Sequence, residues 1–359
     1  MKFLFVNTNI GYGGASKIMV WVANLCSRSG HDVTFLTYRD DQVRQTVDKR
    51  VNIVHVQLEH KRGWINTFSS IKWLHRFIKL NSFDIGIAFL SPSILRLAFA
   101  AKGTDMKVVF SHRSDPYFKT TNYFPISKIV NLLNNYAFHQ ADGYVFQTKM
   151  AWDYYGIDIK NKSVVIPNPI NPMRRTKDRL GNVRKSFVAV GRLDLKQKRQ
   201  DLLIDAFNII SPRYPEFKLE IFGDGEDELK IKELAASNPN ILLMGKTSDV
   251  AVVIENAWAT VLSSDFEGIP NVLLESMSLG VPTISTDCSP GGAAMLIRNK
   301  ENGLLVPRGD SKSLADAMEF MINHPEEAEA MGQVGKEVGN LYAENKIGDM
   351  WTTFFQTFK

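Results

Sequence analysis

Short β-branched or apolar runs alternate with longer stretches of helical periodicity along the whole chain, and this alternation occurs twice over. Such a pattern is the signature of a parallel sheet wrapped by helices. In the first half the predicted strands are KFLFVNT, DVTFLTY, NIVHVQ, DIGIAFL, KVVFSH and GYVFQT. Between the first two, SKIMVWVANLCSRSG carries apolar residues at Ile18, Val22 and Leu25 and stops at Gly30, as a helix with a glycine C-terminal signal should. A second set follows, SFVAVG, KLEIFG, ILLMG, TVLSS, PTISTD and GLLVP, with helices such as QDLLIDAFNII between its strands. The run VVIPNPINPMRRTKDRLGNVRK concentrates proline, asparagine and basic residues, which predicts an inter-domain linker near residue 168. A chain of 359 residues exceeds what one hydrophobic core usually supports. The expectation is therefore an α/β protein of two Rossmann-like domains, 1–168 and 169–340, with a C-terminal helix at 341–359 rejoining the first.

Composition narrows the function classes. A content of 44% hydrophobic and 23% charged residues is that of a globular protein, and no stretch of roughly 18 apolar residues predicts a membrane span. MKFLFVNTNIGYGG reads as a first strand, not a signal peptide. Cys26 and Cys288 are too few for a disulfide framework or a thiolate metal site, and with them the expected setting is reducing and cytoplasmic. The net charge of +5 is unevenly divided: residues 1–168 hold 21 lysines and arginines against 11 acids, and the remainder 22 against 27. A basic first half suits an anionic partner, such as an acidic lipid surface or a phosphorylated acceptor. No base-stacking or groove-reading motif accompanies it, so nucleic acid is not expected as a partner.

Candidate chemistry sits where strands end. The first strand runs into GYGGASK, whose Gly11, Gly13 and Gly14 permit a tight turn and close approach to a ligand, or simply a turn. Neither the dinucleotide fingerprint nor a P-loop is completed there. In the second half Gly191 ends a strand, and Arg192, Lys196, Lys198 and Arg199 follow in the loop. Cations at the carboxyl edge of a parallel sheet suit a diphosphate, and a solvated basic loop would look the same. In IFGDGEDELKIKEL, Gly223 and Gly225 make a turn, and Asp224, Glu226, Asp227 and Glu228 are expected to complement the next helix N-terminus. SDFEGIPNVLLESM is the most informative segment. It puts Glu267 in a loop with Gly268, Ile269 and Pro270, starts a helix near Asn271, and sets Glu275 one turn inside on the same face. Exposed amides of Gly268, Ile269 and Asn271, with the helix dipole, could hold an anion, while the two carboxylates accept hydrogen bonds from hydroxyls. That combination suits a sugar joined to a diphosphate, with Glu267 and Glu275 as anchors and not as a proton-transfer couple.

Taken in order and spacing, GRLDLKQKRQDLLIDAF, FGDGE, FEGIPNVLLESMSLGVPTIST and NGLLVPRGD resemble the retaining glycosyltransferases of the GT4 type, group 1, with a GT-B fold. The resemblance is strongest over residues 186–310; the SHRSDP segment and the N-terminal glycines look like the corresponding loops of bacterial polysaccharide members. It implies two Rossmann-like domains facing each other across a cleft. It further implies that Arg192 and Lys198 hold the donor diphosphate, with Gly13 and Gly14 closing over it, that Glu267 and the backbone from Gly268 through Ile269 and Pro270 to Asn271 bind the hexosyl hydroxyls, and that Glu275 binds the ribose. No metal or other cofactor is implied, and no enzymic nucleophile, since retention in the family is attributed to front-face attack. His112, followed by Arg113 and Asp115, falls at a strand end where the family places a histidine near the transferred sugar; Glu267, His112, Arg192 and Lys198 are thus the expected catalytic residues. Two departures stand out: one extra residue separates Arg192 from Lys198, which leaves Lys196 as an alternative, and Met295 occupies a position where many relatives carry an acid.

The implied reaction moves a hexosyl or N-acetylhexosaminyl group from a nucleotide diphosphate sugar, UDP-linked by expectation, to a lipid-linked glycan in cell-surface polysaccharide biosynthesis. The alternatives are a sugar-nucleotide epimerase, a soluble-acceptor synthase, or a non-catalytic nucleotide-sugar-binding subunit. WINTFSSIKWLHRFIKL mixes Trp64, Phe68, Trp73 and Phe77 with Lys72, Arg76 and Lys79, a mixture that could dock peripherally on an anionic membrane or pack as an ordinary crossover helix.

Overall fold

The computed structural model describes residues 1–8, 10, 14–38, 46–56, 64–113, 115–117, 125–171 and 183–359, with the side chains at 64, 65 and 125–129 left aside. Two compact units make up the chain, one of Met1–Ser114, Lys119–Pro167 and Ile347–Lys359, the other of Asn168–Lys346 with Asp115–Phe118. Among the described residues no helix is long and apolar enough to cross a membrane.

In the first unit the strands are β1 (Lys2–Asn7), β2 (Asp32–Thr37), β3 (Asn52–His55), β4 (Ile85–Ala88), β5 (Lys107–His112), β6 (Gly143–Phe146) and β7 (Ser163–Val165). They form one parallel sheet in the order β3-β2-β1-β4-β5-β6-β7. Phe3, Leu4, Phe5 and Val6 are all fully buried. An unbroken apolar run of this kind is what a strand covered by helices on both faces requires. β7 is a departure from expectation, because Val164 and Val165 belong to the run read as linker. Tyr144 and Val145 on β6 pair with Ser163 and Val164 in register, so the β-branched pair completes the sheet edge before the prolines begin. Residues 172–182 of that run lie outside the described residues.

The second unit repeats the plan with β8 (Ser186–Val190), β9 (Lys218–Phe222), β10 (Ile241–Gly245), β11 (Ala259–Leu262), β12 (Thr283–Thr286) and β13 (Leu304–Val306). Its parallel order is β10-β9-β8-β11-β12-β13. Helix Gln200–Ile210 buries Leu203, Ile204 and Phe207 against Phe187 and Leu219, and helix Ser311–Asn323, capped by Asp310 accepting the Ser313 amide at 3.0 Å, adds Leu314 and Met318 to the same core. Both orders place the first strand of each unit beside the fourth, the doubly wound arrangement in which the chain reverses its direction of travel across the sheet.

Helix Glu344–Gln356 closes the chain. Its Trp351, fully buried, stacks on Phe89 with ring centroids 6.2 Å apart, and Phe355 lies 5.0 Å from Phe3. These contacts build the end of the chain into the core of the first unit.

Candidate active site

In the second unit the order reverses between β8 and β11, which pair through Phe187 with Ala259 and Val188 with Thr260. Loops leaving two such strands diverge and leave a crevice at the carboxyl edge of the sheet. Gly191 to Arg199 leave β8, and Ser263 to Pro270 leave β11, so every second-unit residue expected in the site comes from this one reversal or the helix that follows it.

The β8 loop is a self-supported turn. The Asp194 carboxylate accepts the amides of Lys196 and Gln197, both at 3.1 Å, and its carbonyl accepts the Lys198 amide at 2.7 Å. Glycines let neighbouring backbone press against it. A Cβ at Gly223, whose φ is +148°, would stand 1.8 Å from the Gly191 carbonyl oxygen, and one at Gly225 2.1 Å from that of Leu193. Of the acids of this segment Glu228 lies in the first turn of the next helix as expected, whereas Asp227 makes no side-chain cap, and its carboxylate accepts the Leu195 amide at 2.9 Å, bracing the β8 loop.

Side chains then lace the β8 and β11 loops together. Gln197 donates through Nε2 to the Phe266 carbonyl at 3.1 Å, and its own carbonyl accepts the Asp265 amide at 2.9 Å. Ser263 donates to the Lys198 carbonyl at 2.8 Å, and the Arg199 guanidinium pairs with Asp265 at 3.0 Å. The result brings Lys198 against Glu267: its Nζ donates to Oε1, which also accepts the Ser264 hydroxyl at 3.0 Å. Neither side chain of the pair exceeds one-fifth exposure. Beneath them Cys288 is buried, and burial, reinforced by the Glu267 charge, pushes its thiol up to about 12.

Glu267 is fixed from its backbone as well, its amide donating to the Ser289 carbonyl at 2.7 Å. The second glycine turn explains itself here, because a Cβ at Gly292 would stand 1.4 Å from the Gly268 carbonyl oxygen. Helix Asn271–Ser278 begins after Pro270 with no side-chain cap, so its first amides and the positive end of its dipole face the crevice end of the loop. Buried Asn168 steadies this start, donating to the Ile269 carbonyl at 3.2 Å and to the Asn271 side chain at 2.8 Å. Glu275, one turn on, is 8% exposed.

The remaining expected residues lie elsewhere or stand differently. The Arg192 side chain is 62% exposed, and its guanidinium is held by Gln197 Oε1 at 2.7 Å and Asp194 at 3.1 Å. Lys196 is exposed. In the first unit Gly14 is the exposed first residue of helix Gly14–Arg28, while Gly13 lies outside the described residues. His112 ends β5 and packs edge-on against Phe138 and Tyr155, centroids 5.6 and 5.8 Å away. Burial, with the neighbouring Arg113 charge, lowers its pKa to about 4, so the ring is neutral near pH 7. Gln197, Ser264 and Asn168 are the residues that sequence reasoning missed; Asn168 sits in the proline-rich run read as linker, and Gln197 in the extra-residue loop.

Residues 12–174 match the model for glycosyltransferase family 4, and residues 184–324 that for glycosyl transferases group 1. The chain is a glycosyltransferase of this family. An uncharacterized glycosyltransferase of Haemophilus influenzae is 27% identical to this glycosyltransferase over 358 residues, 98% of each chain. A Campylobacter jejuni protein named GalNAc-alpha-(1->4)-GalNAc-alpha-(1->3)-diNAcBac-PP-undecaprenol alpha-1,4-N-acetyl-D-galactosaminyltransferase is 26% identical over 337 residues, 90% of this chain and 89% of that one. The solved structure of Anabaena HepE in complex with UDP and glucose covers 99% of this glycosyltransferase and 100% of its own chain with a TM-score of 0.79 at 16% identity. The two parallel units are those of the GT-B fold.

Proposed function

We propose that this glycosyltransferase moves a hexosyl or N-acetylhexosaminyl group, with retention, from a UDP-sugar to a lipid-linked glycan in cell-surface polysaccharide biosynthesis. The observation that carries the reading is the Lys198–Glu267 pair at the strand-order reversal, a cation and a carboxylate side by side at the start of a helix. A donor sugar diphosphate has the matching parts: phosphate oxygens for Lys198 and Arg192, hydroxyls for Glu267 and the amides from Gly268 to Asn271, and a ribose for Glu275. On donor binding the phosphate competes with Glu267 for Lys198, which frees a Glu267 oxygen to accept from a sugar hydroxyl. The Arg192 and Lys198 cations would then stabilise the leaving diphosphate without help from a metal. Glu267 already engages a lysine and a serine hydroxyl, a setting that depresses its nucleophilicity, and no enzymic nucleophile is assigned. Neutral His112 would serve as a hydrogen-bond partner of sugar or acceptor.

UDP as the nucleotide is supported by the HepE complex, and a lipid-linked acceptor by the Campylobacter enzyme's name and the basic first half of this chain. Glu267→Ala is expected to lower transfer by at least about a hundredfold, the scale of losing a strong transition-state contact, while UDP affinity by calorimetry stays within about threefold. Unchanged transfer in that variant would remove Glu267 from the mechanism.

A further inference from the structure

Arg199 joins the β8 loop to helix Gln200–Ile210 with φ +51° and ψ +48°. That left-handed conformation favours glycine, and among the other described non-glycine residues only Ser82 and Lys300 have a positive φ. A glycine would fit this backbone better than any side chain. What the arginine returns must therefore come from its guanidinium.

That guanidinium is shared between two carboxylates. Its Nε donates to Asp201 Oδ1 at 3.1 Å and its Nη2 to Asp201 Oδ2 at 3.0 Å, which fixes the fork on the adjoining helix, while Nη1 donates to Asp265 Oδ2 at 3.0 Å on the β11 loop. The Arg199 and Asp265 side chains are each 27% exposed, so the pair is less screened than one on the open surface. Asp265 Oδ1 is buried without a hydrogen-bond partner, and Arg199 is the one cation paired with this carboxylate among the described residues. The Asp265 backbone extends the junction, its amide donating to the Gln197 carbonyl at 2.9 Å and its carbonyl accepting the Ser289 amide, from the loop after β12, at 3.1 Å.

Placement along the chain gives the pair its meaning. Arg199 follows Lys198 directly, and Asp265 stands two residues before Glu267. We propose that Arg199 is a positioning residue, whose clasp on Asp265 holds Glu267 and Lys198 in the relative placement that sugar transfer requires. Arg199 acts through Asp265 and not on the donor, and its meaning for catalysis rests on the donor-site reading of the Lys198–Glu267 pair given above. Placement on this scale governs rate, since a misplacement of about 1 Å can cost about a hundredfold.

The test compares Arg199→Gly/Asp265→Asn with Arg199→Lys in the full chain. Glycine relaxes the backbone and asparagine removes the carboxylate that would be left uncompensated, so the double variant should melt near the parent temperature although the clasp is gone. In acceptor-free hydrolysis of UDP-glucose and UDP-N-acetylglucosamine its kcat should fall by about thirtyfold, while KM and the calorimetric Kd for UDP change by less than about threefold. Arg199→Lys keeps an ammonium within reach of Asp265 and keeps the strained backbone. It should hold kcat within about fivefold of the parent and melt below the double variant. A residue that served stability alone would rank kcat with melting temperature, the reverse order. Hydrogen exchange reads the clasp without turnover: the Glu267 amide, bonded to the Ser289 carbonyl at 2.7 Å, should exchange about tenfold faster in the double variant, with the first unit unchanged. Parent kcat in the double variant, kcat that follows melting temperature, or unchanged exchange at Glu267 overturns the proposal. A parent that hydrolyses neither sugar counts against the donor-site reading instead, and exchange at Glu267 still decides the clasp.

Discussion

Lys198 and Glu267 are 69 residues apart in the chain and share a hydrogen bond. Each is legible by itself, one as a cation after a strand and the other in an EGIPN loop; their pairing is not, because it depends on β8 lying beside β11. The partners that set them, Gln197, Ser264 and Asn168, act through short polar bonds to backbone and side chain, and amides and hydroxyls of that kind occur in every loop. His112 was legible by position at the end of β5, but its environment depends on three aromatic rings from other elements. That environment makes a prediction. With a folded pKa near 4 against 6.5 for a free imidazole, His112 binds fewer protons in the fold than in the unfolded chain between those values. Its stabilising contribution is therefore whole above pH 6.5 and lost as pH falls through about 4. Thermal melts from pH 7 to pH 4 should show His112→Asn losing less stability than the parent, by on the order of 2 kcal/mol; parallel pH profiles would show that the ring is not held neutral.

At the scale of elements, the twelve anticipated strands were visible through their β-branched and apolar residues, unbroken where helices cover both faces as in β1 and mixed with exposed residues at the edge strands β3 and β10; β7 was hidden because only three residues separate its start from Pro167. The loops at the strand ends were visible through their glycines, yet the reason for each glycine was not. Gly292 is required by the Glu267–Gly268 backbone, since any Cβ there collides with a carbonyl oxygen. Gly292→Ala should cost about 3 kcal/mol or more and distort the Glu267 loop. Gly191→Ala provides the contrast, because the nearest atoms to its added Cβ belong to the flexible Lys198 side chain, at 3.5 Å or beyond. Calorimetric melting of both variants checks this; an unperturbed Gly292→Ala would mean that the two loops do not approach as described.

For the whole molecule, the two sheets follow one winding plan, and it is this plan that gathers the second-unit residues at a single reversal. Doubling was evident from the repeated alternation of strand and helix patterns. The contacts of the last helix were beyond the reach of periodicity: they rest on Trp351 and Phe355 meeting Phe89 and Phe3, partners more than two hundred residues away in the chain. Ending the chain after Lys346 should strip a fully buried tryptophan from the first core, at about 3–5 kcal/mol for that side chain alone. Limited proteolysis should then cut residues 1–167 readily and spare 183–340; equal resistance in both would contradict the packing. The central claim is that the Lys198–Glu267 crevice is a nucleotide-sugar site, and its most direct test is an acceptor-free hydrolysis screen across nucleotide sugars, read by mass spectrometry in the presence of a chelator. Release of UDP from one UDP-hexose or UDP-N-acetylhexosamine by the parent, lost in Glu267→Ala with UDP still bound, is the predicted result; hydrolysis at the parent rate in Glu267→Ala, or none from any nucleotide sugar, would contradict it.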